Sequence, residues 1–123
     1  DVAAEMNLAE TAFIRRLGDE FELRWFTPEV EVDLCGHATL ASAHALWSAG
    51  YAANDQPIRF QTKSGLLTCR RNEGLIELDF PALPPSPVEP PPGLLESLGV
   101  TRVVDVGRSK YDYLVVLPDE AAV

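Results

Sequence analysis

From Gly36 to Ala49 the chain runs Gly-His-Ala-Thr-Leu-Ala-Ser-Ala-His-Ala-Leu-Trp-Ser-Ala without an Asp, Glu, Lys or Arg. The pattern of Leu40, Ala43, His44, Ala45, Leu46 and Trp47 predicts a helix, and Gly50 stands where a C-terminal cap belongs. A helix without a charged face must be surrounded by protein. That requirement selects folds in which other elements wrap one central helix.

The flanking segments supply strands. Thr11 to Leu17 and Glu20 to Thr27 are rich in aromatic and aliphatic residues and are separated by Gly18-Asp19, which predicts a β-hairpin. In the second run Phe21, Leu23 and Trp25 alternate with Glu22, Arg24 and Phe26, giving one apolar face. Pro28 closes that strand, because it has no N–H for the ladder. Ile58 to Thr62, Leu66 to Arg71 and Leu75 to Phe80 read as three more strands, joined at Ser64-Gly65 and Asn72-Glu73-Gly74. The expected class is α+β, a curled and mostly antiparallel sheet around a central apolar helix, Gly36 to Ala49.

Composition then changes abruptly, with prolines at 81, 84, 85, 87, 90, 91 and 92. Residues 84–93 read as a stiff Pro-rich connector between most of an N-terminal lobe, residues 1–83, and the beginning of a second lobe, residues 94–123. In that last part a short helix, Gly93 to Leu98, precedes Gly99, and strands are expected at Arg102 to Val106 and Tyr111 to Leu117. Asp1 to Met6 reads as the tail of a helix, and Asp119 to Val123 as the opening of one, so the chain is expected to be a piece of a longer protein.

The formal net charge of -9 argues against a phosphate-backbone binder, which needs clustered Lys and Arg. No apolar run approaches a membrane span and no leader pattern is present, so a soluble cytoplasmic protein is expected. Cys35 and Cys69 are too few for a disulfide framework and lack metal-ligand spacing. No Gly-rich phosphate loop occurs, and His37 and His44 without a convergent carboxylate make a weak metal site, so neither cofactor nor metal is expected.

Chemistry concentrates at the start of the predicted helix. Unpaired N–H groups and the positive end of the helix dipole favour an anion there, and Gly36, Ala38 and Thr39 stand in that first turn. His37 can orient a substrate or relay a proton, or simply satisfy backbone groups. Cys35 can be an activated thiol, since a helix N-terminus lowers a thiol pKa, or a small buried apolar residue. His44, deeper on the same face, and Cys69, inside a strand, are expected to be structural. Asp33 can cap the helix. Glu10, in Asn7-Leu8-Ala9-Glu10-Thr11, is not separable from Glu5, Glu29 or Glu31 by its local sequence.

The segment Asn7-Leu8-Ala9-Glu10-Thr11-Ala12-Phe13, followed by Arg24-Trp25-Phe26-Thr27-Pro28-Glu29-Val30-Glu31-Val32-Asp33-Leu34-Cys35-Gly36-His37-Ala38-Thr39, closely resembles the phenazine-biosynthesis-like (PhzF) family of isomerases. Leu78-Asp79-Phe80-Pro81-Ala82 and the stretch from Val106 to Val115 extend the likeness. The resemblance implies a diaminopimelate-epimerase-like fold, two similar lobes facing each other across a cleft. It implies that Glu10 is the acid/base that moves a proton between substrate carbons, that His37 assists, and that amides after Gly36 hold a substrate carboxylate.

The same resemblance implies a cofactor-independent isomerase acting on a small carboxylated metabolite, with the full-length protein a homodimer and the fragment alone inactive. Two alternatives stand beside it. Cys-Gly-His with a following Thr also resembles the segment bearing a catalytic cysteine in proline racemases and, with Asn for His, in diaminopimelate epimerases, which would make Cys35 the acid/base. A binding or scaffold protein on the same fold is the other.

Overall fold

The alternating apolar residues of the second strand organise the core. In the computed structural model, which describes residues 1–123, β1 (Thr11–Leu17) and β2 (Glu20–Phe26) form the expected hairpin, with Leu17 opposite Glu20 across Gly18-Asp19. Phe21, Leu23 and Trp25 are buried on one face of β2.

The second edge of β2 is used twice. β3 (Glu31–Val32) pairs antiparallel with Trp25 and Phe26, while β4 (Ile58–Thr62) pairs in parallel with Phe21 and Glu22. From β4 the sheet continues antiparallel through β5 (Gly65–Asn72) and β6 (Leu75–Asp79), in the order β1-β2-β4-β5-β6. The sheet is mixed and mostly antiparallel. Its register lines Phe21 up with Phe60, Phe60 with Leu67, and Ile58 with Cys69, all of them buried. Each such side chain contributes roughly 1.5–3 kcal/mol of burial.

The charge-free segment forms α2 (Gly36–Ser48), which touches β1 at one end of the strand order and β6 at the other. Ala38, Thr39, Ser42, Ala43, Leu46 and Trp47 face the core. Small residues at four of these positions let the helix approach the sheet closely. Thr39 and Ser42 satisfy their buried hydroxyls by donating to the carbonyls of Cys35 and Ala38, 2.6 Å away in each case.

The helix ends in a Schellman motif: the Gly50 N–H donates to Trp47 O and the Tyr51 N–H to Leu46 O. Gly50 takes the left-handed conformation this needs, φ 74°. Contrary to the expectation of a fully enclosed helix, Leu40, Ala41, His44, Ala45 and Ser48 are exposed within this chain. His44 is therefore not deeper in; its ring faces outward and bonds Ser48 Oγ at 3.4 Å.

The chain divides into two compact units, Asp1–Phe80 and Pro81–Val123. The first begins with α1 (Val2–Met6), whose N-cap Asp1 accepts from the Ala3 N–H and which ends at Asn7 in the left-handed region. In the second, the Pro-rich stretch read as a connector contributes a strand: β7 (Ser86–Pro87) pairs with β8 (Asp105–Arg108), which pairs with β9 (Tyr113–Val116). Proline is tolerated there because β7 is an edge. β8 starts later than the sequence suggests. Only Val106 of this unit is buried among its hydrophobic residues. The helix α3 spans Leu94–Ser97, and a 3-10 turn occupies Glu120–Ala122. No helix is long and apolar enough to cross a membrane.

Candidate active site

Strand register brings Glu10 to the start of α2. Thr11 opens β1 opposite Phe26, and Phe26 pairs on its other side with Glu31. The turn between β2 and β3 is closed by Thr27, whose Oγ1 accepts from the N–H groups of Glu29 and Val30. Chain leaving β3 passes through Asp33 and Leu34 into Cys35, the N-cap of α2. The residue just before β1 and the first turn of α2 thus meet at one end of the sheet.

The approach to the helix is pinned by charges and one hydroxyl. The Arg24 guanidinium donates from Nε and Nη2 to Glu31, Lys63 Nζ lies 2.8 Å from the same carboxylate, and Ser64 Oγ donates to the Asp33 carbonyl. These two cations hold the Glu31 carboxyl well below its ordinary value of 4.5, at about 2. Asp33 does not cap the helix. The N-cap is Cys35, with no side-chain cap bond, and the Asp33 carboxylate lies 3.9 Å from Lys63.

The site itself is a compact triad of unlike groups. Glu10 Oε2 lies 3.1 Å from His37 Nε2, the carboxylate side chain 24% and the imidazole 71% exposed. A pair this open contributes about 0–1 kcal/mol to stability, so its interest is chemical. Cys35 Sγ lies 3.7 Å from Nδ1 and 3.8 Å from Nε2 of the same ring. Being nearly equidistant, the sulfur is not aligned with one ring nitrogen. The helix start does not activate this thiol. Burial, and then the Glu10 charge, push it up from its ordinary value of 9.0, against a lowering contact from the Ala38 N–H. Cys69 is buried within β5, away from any helix terminus, and burial raises it to about 11.

The first-turn amides are not equivalent. The Thr39 N–H donates to the Cys35 carbonyl at 3.2 Å, its hydroxyl does the same, and the residue is fully buried. Ala38 is only 6% exposed, and its backbone lowers the Cys35 thiol pKa without making a cap bond. Gly36 and His37 therefore hold the amides that remain for an anion. A Cβ on Gly36 would meet only Phe80, at an ordinary 3.5 Å, so packing does not demand glycine there.

Sequence reasoning paired His37 with His44 when looking for converging ligands. The group that converges is Glu10, which local sequence does not distinguish, though the family resemblance pairs it with His37. A cavity of about 660 Å³ lies elsewhere, lined by Arg16, Phe21, Tyr51 and Pro57 among others, and includes none of the three residues.

The chain is thus an α+β lobe with an acid, an imidazole and a thiol gathered at the N-terminus of its apolar helix. Comparison with known proteins narrows this description. Residues 1–93 match the family model of phenazine biosynthesis-like proteins, and the chain belongs to that family. It is 51% identical over 120 residues to an uncharacterized isomerase of Halalkalibacterium halodurans, covering 97% of this chain and 45% of the relative. An uncharacterized isomerase of Pseudomonas aeruginosa is 47% identical over 124 residues, 99% of this chain and 46% of its own length. The crystal structure of a PhzF-family protein from Enterococcus faecalis superposes with a TM-score of 0.85 at 40% identity, covering 99% of this chain and 46% of that one. The chain thus spans somewhat under half the length of these relatives.

Proposed function

We propose that this chain forms part of a cofactor-independent isomerase that moves a proton on a small carboxylated metabolite, with Glu10 as the acid/base. The observation that carries the reading is the 3.1 Å contact between Glu10 and His37 beside the unpaired amides of Gly36 and His37. A substrate carboxylate held by those amides sits next to a half-buried base. The imidazole, which can donate or accept a hydrogen bond, supports Glu10 from the solvent side. The names of the relatives, isomerases among them, support the same reaction class.

The chain spans under half of its relatives' length, and we infer that further groups of the site lie in the part it does not span. We also infer that the unit formed by residues 81–123 begins a second lobe and that the 123-residue chain has no turnover alone. Burial pushes the Cys35 thiol up from its ordinary value, which works against its acting as the base in the cysteine reading.

The test uses the full-length protein, incubated in D2O with small carboxylic acids and followed by NMR. Deuterium should enter a carbon-bound position of one acid, and Glu10→Gln should slow that entry by at least about 100-fold, the usual weight of a general acid/base. Exchange within a few-fold of wild type in Glu10→Gln would contradict the assignment. Tight binding of an acid with no exchange would favour the binding-protein alternative.

A further inference from the structure

The Glu10, Cys35 and His37 cluster carries a chemistry that proton transfer does not use. Carboxylate oxygen, imidazole nitrogen and thiolate sulfur are the ligand types of zinc, whereas calcium and magnesium take oxygen ligands. Their ligand atoms all lie within 4.8 Å of one another. His37 Nε2 is the shared corner, 3.1 Å from Glu10 Oε2 and 3.8 Å from Cys35 Sγ. Around a tetrahedral zinc ion with bonds of about 2.0–2.3 Å, nitrogen and oxygen ligands are about 3.3 Å apart and nitrogen and sulfur about 3.6 Å. The nitrogen–oxygen edge already matches to within a few tenths of an ångström, while the sulfur, as near Nδ1 (3.7 Å) as Nε2, comes into line with Nε2 by rotation of the imidazole. The third edge, between oxygen and sulfur, closes by side-chain rotation.

We propose that Glu10, Cys35 and His37 form a three-ligand site for a borderline-soft divalent cation, Zn²⁺ above all, with a fourth position open to solvent. The exposed His37 ring leaves that position reachable. The positive end of α2 disfavours a lone cation, but carboxylate and thiolate together bring two negative charges. Binding displaces the thiol proton, since a coordinated thiol is deprotonated outright. The site rests on side-chain geometry and not on the acid/base reading. Where both hold, Zn²⁺ occupies the Glu10 carboxylate and inhibits the reaction reversibly.

Cobalt titration tests the site without turnover. Co²⁺ added to the reduced protein should give one equivalent of a near-ultraviolet thiolate-to-cobalt band, which Zn²⁺ bleaches. Cys35→Ser should abolish the band, with circular dichroism checking the fold. Glu10→Gln and His37→Asn, at half-buried and exposed positions, should each weaken Zn²⁺ at least about tenfold in chelator competition, because even outer-shell partners carry that much. His44→Asn should change nothing. A missing band, a band that survives Cys35→Ser, or a Zn²⁺ affinity unmoved by either Glu10→Gln or His37→Asn overturns the proposal.

Discussion

Cys35 and His37 stand two residues apart, yet the first is 7% exposed and the side chain of the second 71% exposed. The N-cap side chain packs into the core cluster, while the imidazole lying against it stays open to solvent. The thiol therefore stays protonated near neutrality, and iodoacetamide at pH 7.5 should alkylate Cys35 in the native protein at least about tenfold more slowly than in urea. Equal rates, read by mass spectrometry, would show an accessible thiolate. Glu31 behaves oppositely. Held at about 2 by Arg24 and Lys63, its carboxyl favours the ionised form in the folded state. Its contribution to stability is thus present above the ordinary 4.5 and lost as pH falls through about 2. Carbon-detected NMR titration should place the Glu31 midpoint below every unpaired glutamate, and Lys63→Ala should move it upward.

Among the elements, the β5–β6 hairpin holds the clearest local conflict. Glu73 and Gly74 both have positive φ, 49° and 86°, as a two-residue turn of the I′ type requires, and glutamate is a poor choice there. Glu73→Asn should raise stability by on the order of 0.5 kcal/mol in urea melts; a loss would mean the side chain has another task. This turn, the hairpin of β1 and β2, and the helix capped at Gly50 were legible in the sequence, because glycine placement and alternation act locally. The parallel pairing of β2 with β4 was not, since nothing in either strand announces its partner. The same limit hid the site. Glu10 gains its distinction from Glu5 and Glu29 only when β1 pairs with β2, and family resemblance, not local pattern, singled it out. Thr39 shows a related limit: in the first turn it looks available, but its amide and hydroxyl both bond the Cys35 carbonyl.

At the scale of the whole molecule, the charge-free segment solves only half of its burial. One face of α2 lies in the core, while Leu40, Ala41 and Ala45 stay exposed, close in sequence to the exposed Tyr51. Apolar surface left uncovered promotes association. The 123-residue chain should self-associate in sedimentation velocity, and Leu40→Lys should shift it toward monomer; a monomer at all concentrations would show that this face is tolerated in water. The central claim concerns the chemistry at the other end of the helix, and crossing two substitutions in the full-length protein tests it most directly. Solvent-deuterium exchange into the substrate should fall by at least about 100-fold in Glu10→Gln and stay within a few-fold of wild type in Cys35→Ser. The reverse pattern, loss with Cys35→Ser and survival with Glu10→Gln, would contradict the account.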